Sequence, residues 1–314
     1  MLTNEVINAY FHSLGPLKME EKIEKGFSGE DKYIISNHEG VKFLLRIDDL
    51  EKKQGVLEHY EILKLVSTTG IPMTRPVDVA FMEKEKKVAV LLTYVEGIDG
   101  EEILPSLSED IQYHCGLQAG KVLRGIHSVK PNPPTESWQI FKTRKNERYE
   151  AALYDIKKYY DKYQFVVKYI QDHLFRLEGR PSALTHDDFH PANLIIHNNT
   201  FAGVIDFNRF EWADPIHDFH KIALFTRNIS IPFSNGQIHG YFDGDPGEEF
   251  WHLYTLYAAM IVTSAMVWSY KVTPHLVDDM EVRVDQILED HQQLQSSIPS
   301  WYLPASSYIK IEKR

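Results

Sequence analysis

Between Leu184 and Pro215 the chain reads LTHDDFHPANLIIHNNTFAGVIDFNRFEWADP, which sets His186, Asp187, Asp188, His190, Asn193, Asp206 and Asp214 among the apolar runs LII and GVIDF. Carboxylates and imidazoles are costly to bury unless they are paired, hydrogen-bonded or bound to a metal. The segment is therefore neither a plain core strand nor a solvated loop. Its pieces LIIH and GVID around the turn NNT read as a hairpin. A hairpin brings the start of one strand beside the end of the other, so Asn193 and Asp206 are expected to converge, with Asp188 on the loop that leads in. Any fold for this chain must support that loop and hairpin.

The segments around it supply the support. A short amphipathic helix with Val6, Ile7, Tyr10, Phe11 and Leu14 on one face comes first. Strand candidates EKIEKGF, DKYIISN and VKFLLRID follow, then a helical pattern from Glu51 to about Thr69, stopped by Gly70 and Pro72. Two more strands are expected around Val77 to Met82 and Val88 to Val95. Beyond Glu96 and Gly97 helical patterns dominate: Ser108 to His127, one long helix from Glu147 to Leu177, Ile216 to Thr226, Glu248 to Tyr270 and Val277 to Ser296. This predicts an α+β fold with an antiparallel-sheet part over 1–95 and a mainly helical part over 96–314 that carries the polar segment.

A single cysteine, Cys115, excludes an intrachain disulfide and a Cys-rich zinc site. The net charge of −11 argues against a nucleic-acid partner, which needs a basic face; plain solubility accounts for it first, and it can also concentrate a cationic small molecule. The start, MLTNEVINAYFHSLG, lacks the basic and apolar regions of a secretory signal. The run LYTLYAAMIVTSAMVWSY is broken by Thr, Ser and Tyr and reads as a buried core helix rather than a membrane span. A cytoplasmic protein without a membrane partner is expected, and nothing in the sequence marks an oligomeric state.

The spacing of the polar segment has a chemical meaning. A carboxylate and an amide oxygen converging from Asp206 and Asn193 suit a hard cation such as Mg²⁺, which keeps water and substrate phosphates in its remaining positions. Asp188, outside that pair, is then free to accept a hydroxyl proton. Metal-neutralised phosphate and a carboxylate that orients the nucleophile are the parts that phosphoryl transfer needs.

His186, Asp188, His190-Pro191 and Asn193, followed by Ile205-Asp206-Phe207, resemble the catalytic and metal-binding segments of the aminoglycoside phosphotransferase and choline kinase-like family, small-molecule kinases related to protein kinases. The likeness covers most of the chain, including the FSG turn, LLTYVEG and the DP-x-x-D sequence after Asp206. It implies a two-lobed, protein-kinase-like fold and transfer of the γ-phosphoryl group of ATP or GTP, with Mg²⁺, to a hydroxyl of a small molecule. By the same resemblance Asp188 would be the catalytic base and Asn193 and Asp206 the magnesium ligands. His186 would brace the catalytic loop, and Asp214 and Asp218 would fix the loop and the helix after it. In the first part Gly26 to Gly29, with Ser28, would cover the phosphates. Arg46 would stand where these kinases place a strand lysine against the α- and β-phosphates, with Glu61 holding it from the helix, and Leu92, Thr93, Tyr94 and Val95 would form the hinge that meets the base.

Two positions depart from the family pattern. Asp187 stands where Gly or Arg is usual, and the planar fork of Arg46 is not equivalent to a lysine ammonium. Lys42, four residues earlier on the same strand face, is the alternative, but Arg46 has the more apolar context. An aminoglycoside-type acceptor, and with it antibiotic resistance, suits the acidic balance. Choline, homoserine and methylthioribose are acceptors of related kinases with the same core motifs, so the fold does not choose among them. The missing lysine also prompts a second reading, a nucleotide-binding module without turnover. In a third, His186, Asp187, Asp188 and His190 form the metal site of a hydrolase, which leaves Asn193 and Asp206 without a task.

Overall fold

The structure is a computed structural model and describes residues 3–24, 29–132 and 136–308. It divides into two units, one of residues 1–96 with 202–208 and one of residues 97–201 with 209–314.

The first unit opens with α1 (Asn4–Tyr10), capped by the Thr3 hydroxyl, which accepts from the Val6 N–H at 3.4 Å. Then come β1 (Leu17–Ile23), β2 (Asp31–Asn37), β3 (Lys42–Asp49), α2 (Lys53–Ser67), β4 (Pro76–Met82) and β5 (Lys87–Thr93). The strands form an antiparallel sheet in the order β1-β2-β3-β5-β4. β5 lies inside the sheet, and its run Val88 to Leu92 is buried on both faces, which is why it reads as continuously apolar rather than alternating. Ile7 and Phe11 pack with Ile35, Leu45, Met82 and Leu91 in one core, and α2 contributes Leu63 and Val66. The segment Ala202–Asn208, assigned to the helical part by its place in the chain, clusters instead with this unit. The cause is backbone pairing: Val204 donates to the Pro72 carbonyl at 3.2 Å and accepts from the Thr74 N–H at 3.0 Å.

The second unit begins with β6 (Ile98–Asp99), α3 (Gly100–Ile103) and α4 (Glu109–His127). The single long helix expected from Glu147 to Leu177 is two helices, α5 (Trp138–Tyr154) and α6 (Lys157–His173), separated where Ile156 leaves helical geometry at ψ 75°. After them in the chain come β7 (Ala183–Thr185), β8 (Leu194–His197), β9 (Thr200–Val204), whose residues from Ala202 on cluster with the first unit, and β10 (Glu211–Ala213); β6, β8 and β9 form one small sheet in that order, and β7 pairs with β10 in another. Asn198 and Asn199 both take positive φ in the β8–β9 turn, as a tight hairpin requires. The expected helix from Ile216 to Thr226 is a 3₁₀ turn, Pro215–Phe219, followed by a π-helical turn, Ile222–Thr226. The remaining helices are α7 (Arg227–Ile229), α8 (Ile231–Phe242), α9 (Glu248–Val272) and α10 (Val277–Asp290). α9 is long and apolar enough to cross a membrane, but 83% of its most apolar window is buried within the protein, packed by α5, α6 and α10.

Candidate active site

β7 and β10 pair antiparallel with Thr185 opposite Glu211, and residues 183–185 are fully buried, so the chain leaves the small sheet from a fixed point. One carboxylate then holds the loop. Asp218, inaccessible to solvent, accepts the His186 N–H at 2.8 Å and the Asp187 N–H at 2.7 Å, and its Oδ2 also meets His127 Nε2 at 3.0 Å. A buried carboxylate needs such donors, and the donors here are the backbone of the loop itself. His186 is fully buried, and its Nδ1 accepts the Asp188 N–H at 3.3 Å. Asp214 caps the 3₁₀ turn through the Ile216 N–H at 3.1 Å and is clamped by Arg180 at 2.7 and 3.0 Å and by the Tyr257 hydroxyl at 2.8 Å.

These restraints present Asp188 with both oxygens engaged. Oδ1 lies 2.9 Å from Lys221 Nζ and 3.6 Å from His190 Nε2. Oδ2 accepts from Asn193 Nδ2 at 3.2 Å, and the same amide donates to the Asp188 carbonyl at 2.9 Å. Burial alone would raise the Asp188 pKa, but the hydrogen bond from His190 and the charge of Lys221 outweigh it and hold the carboxyl well below the usual carboxylate range. Asn193 spends its amide donors on Asp188, which leaves the amide oxygen as the end available to a hard cation.

Lys221 was not among the residues singled out by sequence. It stands immediately before the π-helical turn, a geometry concentrated at functional sites. A lone basic residue in the run DFHKIALF was the available signal.

Asp187 faces the other way. Its Oδ1 is 3.2 Å from His217 Nδ1, and His217 Nε2 is 2.6 Å from Lys142 Nζ. Lys142 is buried over the rings of Trp138 and Tyr257, and burial, followed by the charge of Lys145, pushes its amine down to about 7. Asp187, His217 and His220 bring ligand atoms within 4.8 Å of one another. The surrounding charge opposes a dication: Lys142 meets Nε2 of His217, and Lys142, Lys145 and Lys221 set their charges against a cation in the group, as they do against protonation of that imidazole, which burial first and these charges next hold well below its ordinary pKa. Lys142, His217 and Asp187 stand in a row, with a hydrogen bond at the lysine end and a close approach at the carboxylate end. The hydrolase site expected from His186, Asp187, Asp188 and His190 does not assemble, because His186 is turned to the Asp188 amide and Asp187 to His217.

The remaining candidates lie in the first unit. Asp206 has φ +62° and sits 3.5 Å from Lys32 Nζ. Lys32 also meets Glu30 Oε1 at 3.4 Å. Arg46 donates from Nε and Nη2 to Glu30 Oε2 at 2.9 and 2.7 Å and from Nη2 to Asn208 Oδ1. The expectation that Glu61 holds Arg46 is corrected: Glu61 is 63% exposed and pairs with Lys64 at 3.0 Å. α2 turns Val56 and His59 toward the small pocket that Arg46 lines, and Glu61, two residues from His59, falls off that stripe. Lys42 pairs with Glu96 at 3.3 Å and lies over the Tyr94 ring. Among the hinge candidates Leu92 sits inside the ladder between β3 and β4. The Thr93 N–H and carbonyl are committed to Arg75 and Thr74 at 2.8 and 2.9 Å. Tyr94 and Val95 follow the strand end. Ser28 lies outside the described residues.

A family model described as the phosphotransferase enzyme family matches residues 20–254. No curated protein sequence matches the chain. Among solved structures, a thermostable mutant of aminoglycoside phosphotransferase APH(4)-Ia in a ternary complex with ADP and hygromycin B is 15% identical with a TM-score of 0.60, covering 91% of this chain and 97% of that one. ADP-bound aminoglycoside phosphotransferase APH(2'')-Ib is 18% identical with a TM-score of 0.58, covering 91% and 98%. The gentamicin complex of APH(2'')-IIa is 16% identical with a TM-score of 0.60, covering 94% and 98%. At such identities the likeness is one of fold: an antiparallel sheet part followed by a helical part.

Proposed function

Because the chain belongs to the phosphotransferase enzyme family, we propose that it moves the γ-phosphoryl group of ATP or GTP onto a hydroxyl of a small molecule. The observation that carries the proposal is the setting of Asp188, ionised and aimed by Lys221, His190 and Asn193. In the reaction the acceptor oxygen bonds to the γ-phosphorus while the bond to the bridging oxygen breaks and the nucleoside diphosphate leaves. The acceptor proton passes to the Asp188 carboxylate. A carboxylate with so low a pKa takes that proton late, so its main service is to fix the hydroxyl in line, which suits a loose transition state. Asn193 and Asp206 offer one amide and one carboxylate oxygen, a donor set that fits Mg²⁺, and the ion would neutralise phosphate charge.

For the acceptor, the net charge of −11 and the hygromycin B and gentamicin complexes of the structural neighbours support an aminoglycoside-type polycation. Transfer of label from γ-labelled ATP and GTP, with Mg²⁺, to a panel of aminoglycosides, choline, homoserine and methylthioribose tests the reading. A phosphorylated aminoglycoside is the expected product. Nucleotide binding without transfer to any hydroxyl compound would reject the transferase reading.

A further inference from the structure

We propose that Lys32, not Arg46, is the side chain of the first unit that meets the phosphates of the nucleotide; the proposal rests on the kinase reading above. β2 and β3 pair with Lys32 directly opposite Arg46, so both side chains leave the same face of the sheet. They are used differently. Arg46 is 12% exposed and closes a buried ion pair with Glu30, itself 8% exposed, through two of its nitrogens, one of which also bonds Asn208. Turning Arg46 toward a ligand would leave the Glu30 carboxylate buried without its strongest partner, a change that is strongly destabilising. Lys32, in contrast, is held by two long contacts, 3.4 Å to Glu30 and 3.5 Å to Asp206. An ammonium has three donors and no fixed plane, so it can exchange one such contact for a phosphate oxygen at little cost. Its place beside Asp206, the carboxylate proposed for Mg²⁺, is where an ammonium reaches phosphate oxygens that share the ion.

The phosphate contact that the family makes from β3 is thus made from the neighbouring strand, and Arg46 is a structural residue tied to Glu30 and Asn208.

Calorimetric titration of the full chain with adenosine or guanosine and their di- and triphosphates, with Mg²⁺, tests this without any turnover. Wild type should gain affinity as phosphates are added. Lys32→Met should lose about 10- to 100-fold for the triphosphate, the range of one lost charge-assisted hydrogen bond, with nucleoside affinity unchanged and the unliganded chain melting lower by less than in the Arg46 variant, since the bidentate partner of Glu30 remains. Lys32→Arg should recover part of the loss. Arg46→Met should melt lower yet keep the preference for triphosphate; Arg46→Lys, which retains a cation for Glu30, gives the same readout if the methionine variant does not fold. Triphosphate binding intact in Lys32→Met, or lost in Arg46→Lys, overturns the inference alone. A wild-type chain that binds no nucleotide overturns the kinase reading as well.

Discussion

Asp188 and its partners show what the catalytic loop asks of single residues. Replacing Asp188 by Asn keeps the shape and the Lys221 contact but removes the proton acceptor, so turnover should fall by about 10²- to 10⁴-fold. Nucleotide affinity should stay near wild type, whereas the melting temperature falls somewhat because the new amide nitrogen faces the Asn193 amide; a smaller loss of turnover would move the base elsewhere. The loop was legible because Asp188 and Asn193, which the structure brings together, lie five residues apart in one local segment. Lys221 and Lys32 were not, because their neighbours come from distant positions, Asp188 and Asp206. Lys142 gives a second prediction. Burial, then Lys145, lowers its pKa from 10.5 to about 7 in the folded chain, so from about pH 7 upward the unfolded chain binds a proton that the folded chain does not. Stability must then rise with pH, by up to about 1.4 kcal/mol per unit. Lys142→Met lacks this linkage, so the difference in melting temperature between wild type and variant should move in favour of wild type from about pH 7 to about pH 9. A constant difference would mean that Lys142 stays charged in the folded state.

Among the elements, α4 and α8 cross most closely. A Cβ at Gly116 would lie 2.3 Å from the Phe233 carbonyl oxygen, and one at Gly236 would lie 2.2 Å from that of Tyr113. Those oxygens are backbone and cannot swing away, so Gly236→Ala must push the helices apart, at a cost of about 1–3 kcal/mol. Gly55, in contrast, has open space around its missing Cβ in the first turn of α2, and Gly55→Ala should stabilise by up to about 0.5 kcal/mol, less than at a mid-helix position. Thermal melts of the two variants should therefore shift in opposite directions, and a neutral Gly236→Ala would show that the crossing is loose. The same crossing explains why α8 escaped the sequence reading. Residues Phe233 to Gly240 are all buried, so the segment has no amphipathic period, and Ser, Asn and Gly within it look like loop. The break between α5 and α6 was equally silent, since Asp155 and Ile156 carry no glycine or proline to mark it. The sheet and α9 were legible, because alternation, turn residues and length mark them locally.

For the whole molecule the governing quantity is charge. At −11 the chain repels a nucleoside triphosphate and attracts a polycation, so the two substrates of the proposed reaction experience opposite fields. Among the described residues of the first unit, Lys32 and Arg46 are both paired with Glu30, so they act on the nucleotide at short range and are poorly placed to draw it in from solution. Salt shortens the reach of both fields, with a screening length of about 10 Å at 0.1 M. Raising ionic strength from about 50 to about 200 mM should therefore lower kcat/KM for a cationic acceptor severalfold and leave the KM for nucleotide level or slightly reduced. A neutral hydroxyl acceptor turned over by the same protein is the control, because it senses the site but not the field. If both acceptors lost activity equally, salt would be acting on the protein or the nucleotide, and the acidic balance would have no part in choosing the acceptor. If only the cation lost, the charge read from composition would be acting as a selectivity device over distances that no single contact spans.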